Sequence, residues 1–127
     1  MKRLSFLIVL VFAMCLSGLA ADSQRKGKLV HMVSFKFKET ASKEQIKQVE
    51  DAFRDLKKKI KEIQSYEWGT NVSAEKHDKG FTHAFILSFK TEKDRDTYIE
   101  HPEHKAFGKI VGPVLADVFV IDFWAEK

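Results

Sequence analysis

Cysteine is nearly absent from this sequence, since Cys15 is the only one among 127 residues. One thiol cannot form a disulfide within the chain, and it cannot supply an iron–sulfur cluster or a zinc site of the cysteine type. Proline and glycine are also scarce, at two and six residues, which excludes collagen-like and low-complexity chains. Hydrophobic residues make up 44% and charged residues 31%. The composition therefore indicates one globular domain that depends on its hydrophobic core.

Long apolar runs are also lacking, except at the N-terminus. Lys2 and Arg3 precede an apolar stretch at residues 5–16, and small residues follow up to Ala21. This pattern is typical of a secretory signal peptide. The stretch is too short to span a bilayer, which takes about 20 apolar residues. We expect residues 1–20 to be removed together with Cys15, and the protein to be exported with no further membrane contact; a retained anchor helix is the alternative.

The charge balance is only weakly positive. Lys and Arg number 22 against 18 Asp and Glu, which gives +4. Without Lys2 and Arg3 the balance is 20 against 18, or +2. Such a charge gives little affinity for phosphates, so no nucleic-acid partner is expected.

Hydrophobic periodicity predicts the order of elements after a flexible lead-in at residues 21–28. Residues 29–37 and 81–89 alternate as strands do, 66–73 form a weaker strand, and 114–124 form the last. Helices are predicted at residues 92–100 and 103–111. A longer helix follows Ser42, with an apolar stripe formed by Ile46, Val49, Phe53, Leu56, Ile60 and Ile63. This order predicts an α+β, ferredoxin-like α/β sandwich with a four-stranded antiparallel sheet.

Both faces of the predicted sheet are apolar. One carries bulky phenylalanines such as Phe35 and Phe85, which suit packing under the helices. The other is expected to carry six smaller apolar residues: Val30, Met32, Ala84, Ile86, Val118 and Val120. A sheet that is apolar on both sides needs two covers. We therefore expect a second copy of the chain to cover the face opposite the helices.

Four of the five histidines are placed to meet in one cleft. His31 and His83 occupy helix-facing strand positions, and His101 and His104 lie on the helical segment that covers that face. With Tyr98 nearby, they indicate a small polar site in an apolar pocket, and a purely structural hydrogen-bond network is the alternative. The same histidines with Asp122 offer nitrogen and oxygen ligands for a metal, although Pro102 distorts the helix between His101 and His104.

Several short motifs together resemble the stress-responsive A/B barrel (Dabb) family. The similarity runs from residue 29 to residue 124, and we assign residues 29–127 to this domain. The residues that carry it are His31, VSFK at 33–36, Trp68-Gly69, GFTH at 80–83, YIEHPEHKAF at 98–107 and IDF at 121–123. The resemblance implies a dimeric α/β barrel built from ferredoxin-like units.

The resemblance also implies roles for individual residues. An enzymatic member of the family closes a linear polyketide by aldol condensation, using a tyrosine and a histidine without a cofactor. By this similarity His104 is the general base, Asp122 holds or tunes it, and Tyr98 donates to the developing oxyanion. The other expected pocket residues are His31, His83, His101, Phe35 and Phe85.

The leading hypothesis is an exported homodimer with a pocket for a small apolar or carbonyl ligand. Its chemistry is expected to be cofactor-free acid–base catalysis on a carbonyl compound. Two alternatives stay open at this point. One is a non-catalytic module that sequesters a ligand under stress, and the other is a protein that binds a metal through histidine and aspartate.

Overall fold

Strands and helices follow one another in the predicted order in the computed structural model, which describes residues 27–126. The expected signal peptide and most of the lead-in lie outside the described residues. The strands are β1 (Leu29–Phe37), β2 (Ser65–Thr70), β3 (His83–Phe89) and β4 (Leu115–Trp124). The helices are α1 (Lys43–Lys59), α2 (Glu92–Glu100) and α3 (Pro102–Val111), and a single 3₁₀ turn (Gly112–Val114) leads into β4. No helix within this part of the chain is long and apolar enough to cross a membrane.

The four strands form one antiparallel sheet in the order β2-β3-β1-β4. Consecutive strands β2 and β3 are neighbours, whereas β4 returns to pair with β1 at the opposite edge. The helices cover one side of this sheet. The predicted ferredoxin-like α+β fold is therefore confirmed.

Local sequence sets the ends of the helices. Ser42 begins α1 with a capping box, in which its side chain accepts from the Gln45 N–H and the Gln45 side chain accepts from the Ser42 N–H. The helix is shorter than its apolar stripe predicts, because Ile60 adopts an extended conformation and ends it at Lys59. Ile60 and Ile63 are nevertheless fully buried, so the connecting segment continues the core where the helix stops.

Aromatic rings fill the space between the helices and the sheet. Phe53 of α1 lies 4.2 Å from Phe85 of β3 and 4.8 Å from Phe107 of α3, measured between ring centroids. Removing such a side chain from water stabilises the fold by about 1.5–3 kcal/mol. Phe35 stacks against the same cluster, so Phe35 and Phe85 are central core residues.

The face of the sheet away from the helices differs from the prediction at β4. Val118 pairs with Phe35 and Val120 with Val33, and directly opposed residues point to the same side of a sheet. The two valines therefore share the helix side, and the expectation that they join Val30 and Met32 is wrong. The residues of β4 that do lie on the open face are Phe119, Ile121 and Phe123, which are 47%, 43% and 46% exposed. The error is a shift of one residue, which reverses every side chain of a strand.

Candidate functional site

Tyr98 and His104 meet where α2 turns into α3. His101 ends α2 and caps α3, with Pro102 in the first turn, and this sharp corner brings the two side chains together. Their ring centroids are 4.5 Å apart. Tyr98 is only 1% exposed, whereas His104 is half-buried. A buried phenol thus lies beside an imidazole that solvent and small molecules can reach.

The tautomer of His104 follows from its hydrogen bond. Nδ1 lies 3.0 Å from the carbonyl oxygen of Ile99. Because a carbonyl only accepts, Nδ1 carries the hydrogen and the lone pair of the neutral ring is on Nε2. Burial lowers the pKa of His104, the hydrogen bond to Ile99 partly opposes this, and positive charge on His31 or His101 lowers it further. His104 is therefore a neutral base at physiological pH.

The Tyr98 hydroxyl is held in its protonated form. Burial raises the pKa of Tyr98 well above its ordinary value, and negative charge on Tyr66 or Asp122 raises it further. Its ring also lies 5.6 Å from that of His31, edge to face. This phenol can act as a hydrogen-bond donor to an oxygen on which negative charge develops.

Asp122 contacts His31 and Arg95. His31 donates from Nδ1 to one carboxylate oxygen at 2.6 Å, and Arg95 donates to the other at 2.9 Å. The resemblance implies that Asp122 holds or tunes His104, whereas the hydrogen bonds of Asp122 in the structure go to His31 and Arg95. The cause is the register, since His31 of β1 and Asp122 of β4 are directly opposed on the helix side. Asp122 is connected to His104 by successive contacts with His31 and Tyr98.

His83 belongs to a second polar cluster. Its Nε2 lies 3.0 Å from the Glu50 carboxylate, and its Nδ1 lies 2.8 Å from the hydroxyl of Thr82. The ring stacks on Trp68. His83 pairs with Phe35, four residues along β1 from His31, which is about 13 Å of strand. The structure therefore separates His83 from the other three histidines.

His101 has a structural contact of its own, because its Nδ1 accepts from the backbone N–H of Glu103 and caps α3.

The sequence reasoning did not single out Arg95 or Glu50. Arg95 lies three residues before Tyr98 on α2, and this spacing places two helical side chains on one face. The spacing of three residues from Tyr98 would have been enough to predict that Arg95 lies at the site.

A surface hollow lies on the opposite side of the sheet. Its volume is about 560 Å³, and its floor includes Met32, Ser34, Ala84 and Phe119, with the 77–79 loop at its rim. The hollow is distinct from the Tyr98–His104 pair and opens onto the face that the helices leave uncovered.

The described residues give no support to a metal site. Residues 27–126 contain no group of three or more histidine, cysteine, aspartate or glutamate side chains arranged to hold an ion. The Asp122 carboxylate is already occupied by the Arg95 guanidinium and the His31 ring.

Comparison with known proteins places the chain in a family. Residues 29–125 match the profile of the Stress responsive A/B Barrel Domain, Dabb. The chain belongs to the Dabb family. It is 32% identical over 100 residues to the Stress-response A/B barrel domain-containing protein HS1 of Arabidopsis thaliana, covering 79% of this chain and 92% of HS1. It is also 24% identical over 97 residues to olivetolic acid cyclase of Cannabis sativa, covering 76% and 96%.

Solved structures agree with this Dabb assignment. A dimeric ferredoxin-like protein from Thermobifida fusca is 26% identical and superposes with a TM-score of 0.68, covering 77% of this chain and 91% of that one. The hydroxynitrile lyase of Passiflora edulis has a TM-score of 0.75 at 24% identity, covering 80% and 96%, which shows a shared fold.

Proposed function

We propose that this Dabb protein is exported, forms a homodimer and binds a small carbonyl compound beside Tyr98 and His104, where it moves a proton without a cofactor. The observation that carries the proposal is the hydrogen bond from His104 Nδ1 to the Ile99 carbonyl. That bond leaves the lone pair on Nε2, in a ring whose centroid is 4.5 Å from that of the buried Tyr98. General base and oxyanion donor are the two groups that proton abstraction beside a carbonyl requires.

The two side chains divide the chemistry between them. Nε2 of His104 takes a proton from the carbon next to the carbonyl, and the electron pair of that C–H bond moves toward the carbonyl oxygen. Tyr98 donates a hydrogen bond to this oxygen as negative charge develops on it. Return of the proton from His104 to carbon or oxygen restores the neutral imidazole.

His31, Asp122 and Arg95 support the pair from the sheet side. Because Asp122 accepts from His31 and Arg95 together, the His31 ring is fixed in its position edge-on to Tyr98. The carboxylate and the guanidinium neutralise each other. The site therefore has little net charge to repel or attract an uncharged ligand.

Two relatives support carbonyl chemistry by their names. Olivetolic acid cyclase shares 24% of its residues with this chain over nearly its whole length. The hydroxynitrile lyase shares the fold. The resemblance stated from the sequence matches Tyr98 and His104 to the tyrosine and histidine of the cyclising member. This agreement favours catalysis over passive ligand storage.

The open face of the sheet supports dimerisation. Phe119, Ile121 and Phe123 present a row of exposed apolar side chains. Exposed apolar patches of this kind mark interaction surfaces. The Thermobifida fusca relative is described as dimeric. We assign this face to the contact with a second copy, and the signal-like residues 1–20 to export.

Proton exchange tests the proposal without a known substrate. Acetophenone in D₂O gains deuterium at its methyl group when a base removes its α-protons, and NMR follows the exchange. We expect the protein to accelerate this exchange and His104→Ala to abolish the acceleration. The matched control is His77→Ala, which changes an exposed loop histidine. Equal rates for the protein and His104→Ala would refute acid–base chemistry at this site, and binding without exchange would indicate a ligand-storage module.

A further inference from the structure

A hydroxyl, an imidazole and a carboxylate are hydrogen-bonded in series at the start of β3. The Thr82 hydroxyl lies 2.8 Å from Nδ1 of His83, and Nε2 of His83 lies 3.0 Å from the Glu50 carboxylate. Both distances are within the range that joins a nucleophile to its base and the base to the group that orients it. Catalytic relays of this kind occur on unrelated folds and are recognised by geometry and roles, not by sequence position.

The direction of the two hydrogen bonds follows from the carboxylate. An ionised carboxylate only accepts, so Nε2 of His83 carries the hydrogen and donates it to Glu50. In the neutral ring the lone pair is then on Nδ1, and the Thr82 hydroxyl donates to it. This tautomer of His83 can take the proton of Thr82, which is the task of a general base for a hydroxyl nucleophile.

Aromatic packing fixes the His83 ring. Trp68 stacks on it with an angle of 8° between the ring planes, and Phe37 meets it edge to face with 5.0 Å between the centroids. His83 is only 7% exposed, whereas Thr82 is exposed. A buried and oriented base therefore contacts a hydroxyl that a small molecule can reach.

Thr82 lines the hollow on the open side of the sheet. The volume of about 560 Å³ is in the range of small-molecule sites, and its apolar lining is formed by Met32, Phe81, Ala84 and Phe119. Thr82 precedes β3 and lies beside the 77–79 loop, so it is at the end of this face and not among the β4 side chains assigned to the dimer contact. The hollow can therefore hold a short apolar chain next to the Thr82 hydroxyl.

Asn71 provides a hydrogen-bond donor beside Thr82. Its backbone N–H donates to the Thr82 carbonyl at 2.8 Å, and both residues line the hollow. The side-chain oxygen of Asn71 accepts from the Ser73 N–H, which leaves the amide nitrogen to donate to another oxygen. A side-chain amide in this position can stabilise the negative charge that develops on a carbonyl oxygen during acyl transfer.

We propose that Thr82 is the nucleophile of a second site, which hydrolyses small apolar carboxylic esters. Oγ1 of Thr82 forms a bond to the ester carbonyl carbon while its proton passes to Nδ1 of His83, and Asn71 donates to the carbonyl oxygen. The bond to the alcohol oxygen then breaks, and the alcohol leaves with the proton from His83. The acyl group remains on Thr82.

One water molecule completes the reaction. It attacks the acyl carbon and gives a proton to His83, the bond to Oγ1 breaks, and Thr82 takes that proton back as the acid leaves. Glu50 is a positioning residue, because it acts only through His83. The site is separate from Tyr98 and His104, so this inference does not depend on the proposed function.

Hydrolysis of p-nitrophenyl butyrate tests the proposal. Release of nitrophenolate gives the rate, and peptide mapping of acid-quenched protein shows which residue carries the butyryl group. We expect this group on Thr82 in the wild type, in Thr82→Ser and in the control Thr40→Val, which removes an exposed hydroxyl outside the hollow. Thr82→Val keeps the shape of the side chain, so it should melt at the wild-type temperature, carry no butyryl group at this position and hydrolyse the ester no faster than the background reaction.

Variants of the other two groups test the relay. His83→Gln should acylate Thr82 about 100-fold more slowly, a typical contribution of a general base. Glu50→Gln should lower kcat and leave KM unchanged, since Glu50 does not touch the ester. If either variant fails to fold, the comparison of Thr82→Val with Thr82→Ser decides.

Three results would overturn the proposal. One is hydrolysis by Thr82→Val at the wild-type rate. Another is a butyryl group found only on residues other than Thr82. The third is a wild-type protein that does not accelerate the hydrolysis at all, which would leave the hydrogen bonds of His83 a structural role only.

Discussion

The Asp122 carboxylate holds His31 across the β1–β4 pair, with 2.6 Å between Oδ1 and Nδ1. The same carboxylate accepts from Arg95 of α2, so it joins the edge strand, its neighbour and a helix. His31 in turn lies edge-on to Tyr98. The position of Tyr98 therefore depends on a chain of contacts that begins at the last strand of the fold.

This relationship predicts the effect of replacing Asp122. Asp122→Leu leaves His31 and Arg95 without their acceptor in a half-buried site, which should cost about 1–3 kcal/mol of unfolding free energy. Urea denaturation measures the loss. The control is Asp51→Asn, which changes an exposed carboxylate that pairs with Lys47 and Arg54 on the surface of α1 and should have little effect. Equal stability of the Asp122 variant and the wild type would show that the contact is not structural.

The depressed pKa of His104 predicts a pH dependence of stability. Burial lowers the pKa below its ordinary value near 6.5, so between the two values the unfolded chain binds more protons than the folded protein. The stability of the wild type should therefore fall as the pH drops through 6.5 toward the lower, folded value. His104→Gln lacks the titrating ring and should lose less stability over this range.

Urea midpoints of both proteins at pH 8 and pH 5 measure this difference. An NMR titration of the His104 ring gives the pKa of the folded state directly. A midpoint for His104 at or above 6.5 would contradict the depressed value.

Substitution at the site separates function from architecture. Tyr98→Phe keeps the ring contacts with His31 and Phe89 and removes only the hydroxyl. We expect near-wild-type melting together with slower α-proton exchange in acetophenone, because the oxyanion loses its donor. Unchanged exchange would exclude Tyr98 from the chemistry, and a large fall in melting temperature would assign its hydroxyl to the fold.

The sequence predicted most of the fold because its signals are local. Alternation along residues 29–37, the Ser42–Gln45 capping box and the proline after His101 each act within a few residues. The site was harder to predict, because it depends on register. Asp122 pairs with His31, and not with His104, because His31 of β1 and Asp122 of β4 occupy directly opposed positions. Periodicity gives each strand two faces but does not say how they align with a neighbour.

His83 and β4 show the same limit. Alternation correctly places His83 on the helix side, but its distance from His31 along the sheet depends on the antiparallel pairing of β1 with β3. In β4 all four residues from 118 to 121 are apolar, so hydrophobicity alone does not distinguish the two faces. The position of Asp122 distinguishes the two faces. Because side chains alternate along a strand, Val118 and Val120 lie on the same side as Asp122, which faces His31.

Export predicts a shorter mature chain. If residues 1–20 are a signal peptide, the secreted protein begins at Ala21, or at Asp22 when cleavage falls one residue later, and it lacks Cys15. Intact-mass analysis of secreted protein measures this, and absence of reaction with a thiol reagent is an independent check. A mass that includes residues 1–20, or that includes an added lipid, would contradict simple cleavage.

The open face of the sheet predicts how the dimer can be broken. Ile121 is 43% exposed on this face, where it pairs with Met32 of the neighbouring strand. Ile121→Lys places a charge in the proposed contact, where burial would remove its solvation without supplying a partner. We expect this variant, and Ile86→Lys on the same face, to be monomeric at micromolar concentration by light scattering.

Ile110→Lys is the control, because Ile110 is 45% exposed but lies on α3, on the other side of the molecule. A wild type that is itself monomeric would refute the homodimer. If Ile110→Lys dissociates the dimer and Ile121→Lys does not, the copies meet through the helices and the open face of the sheet has another partner.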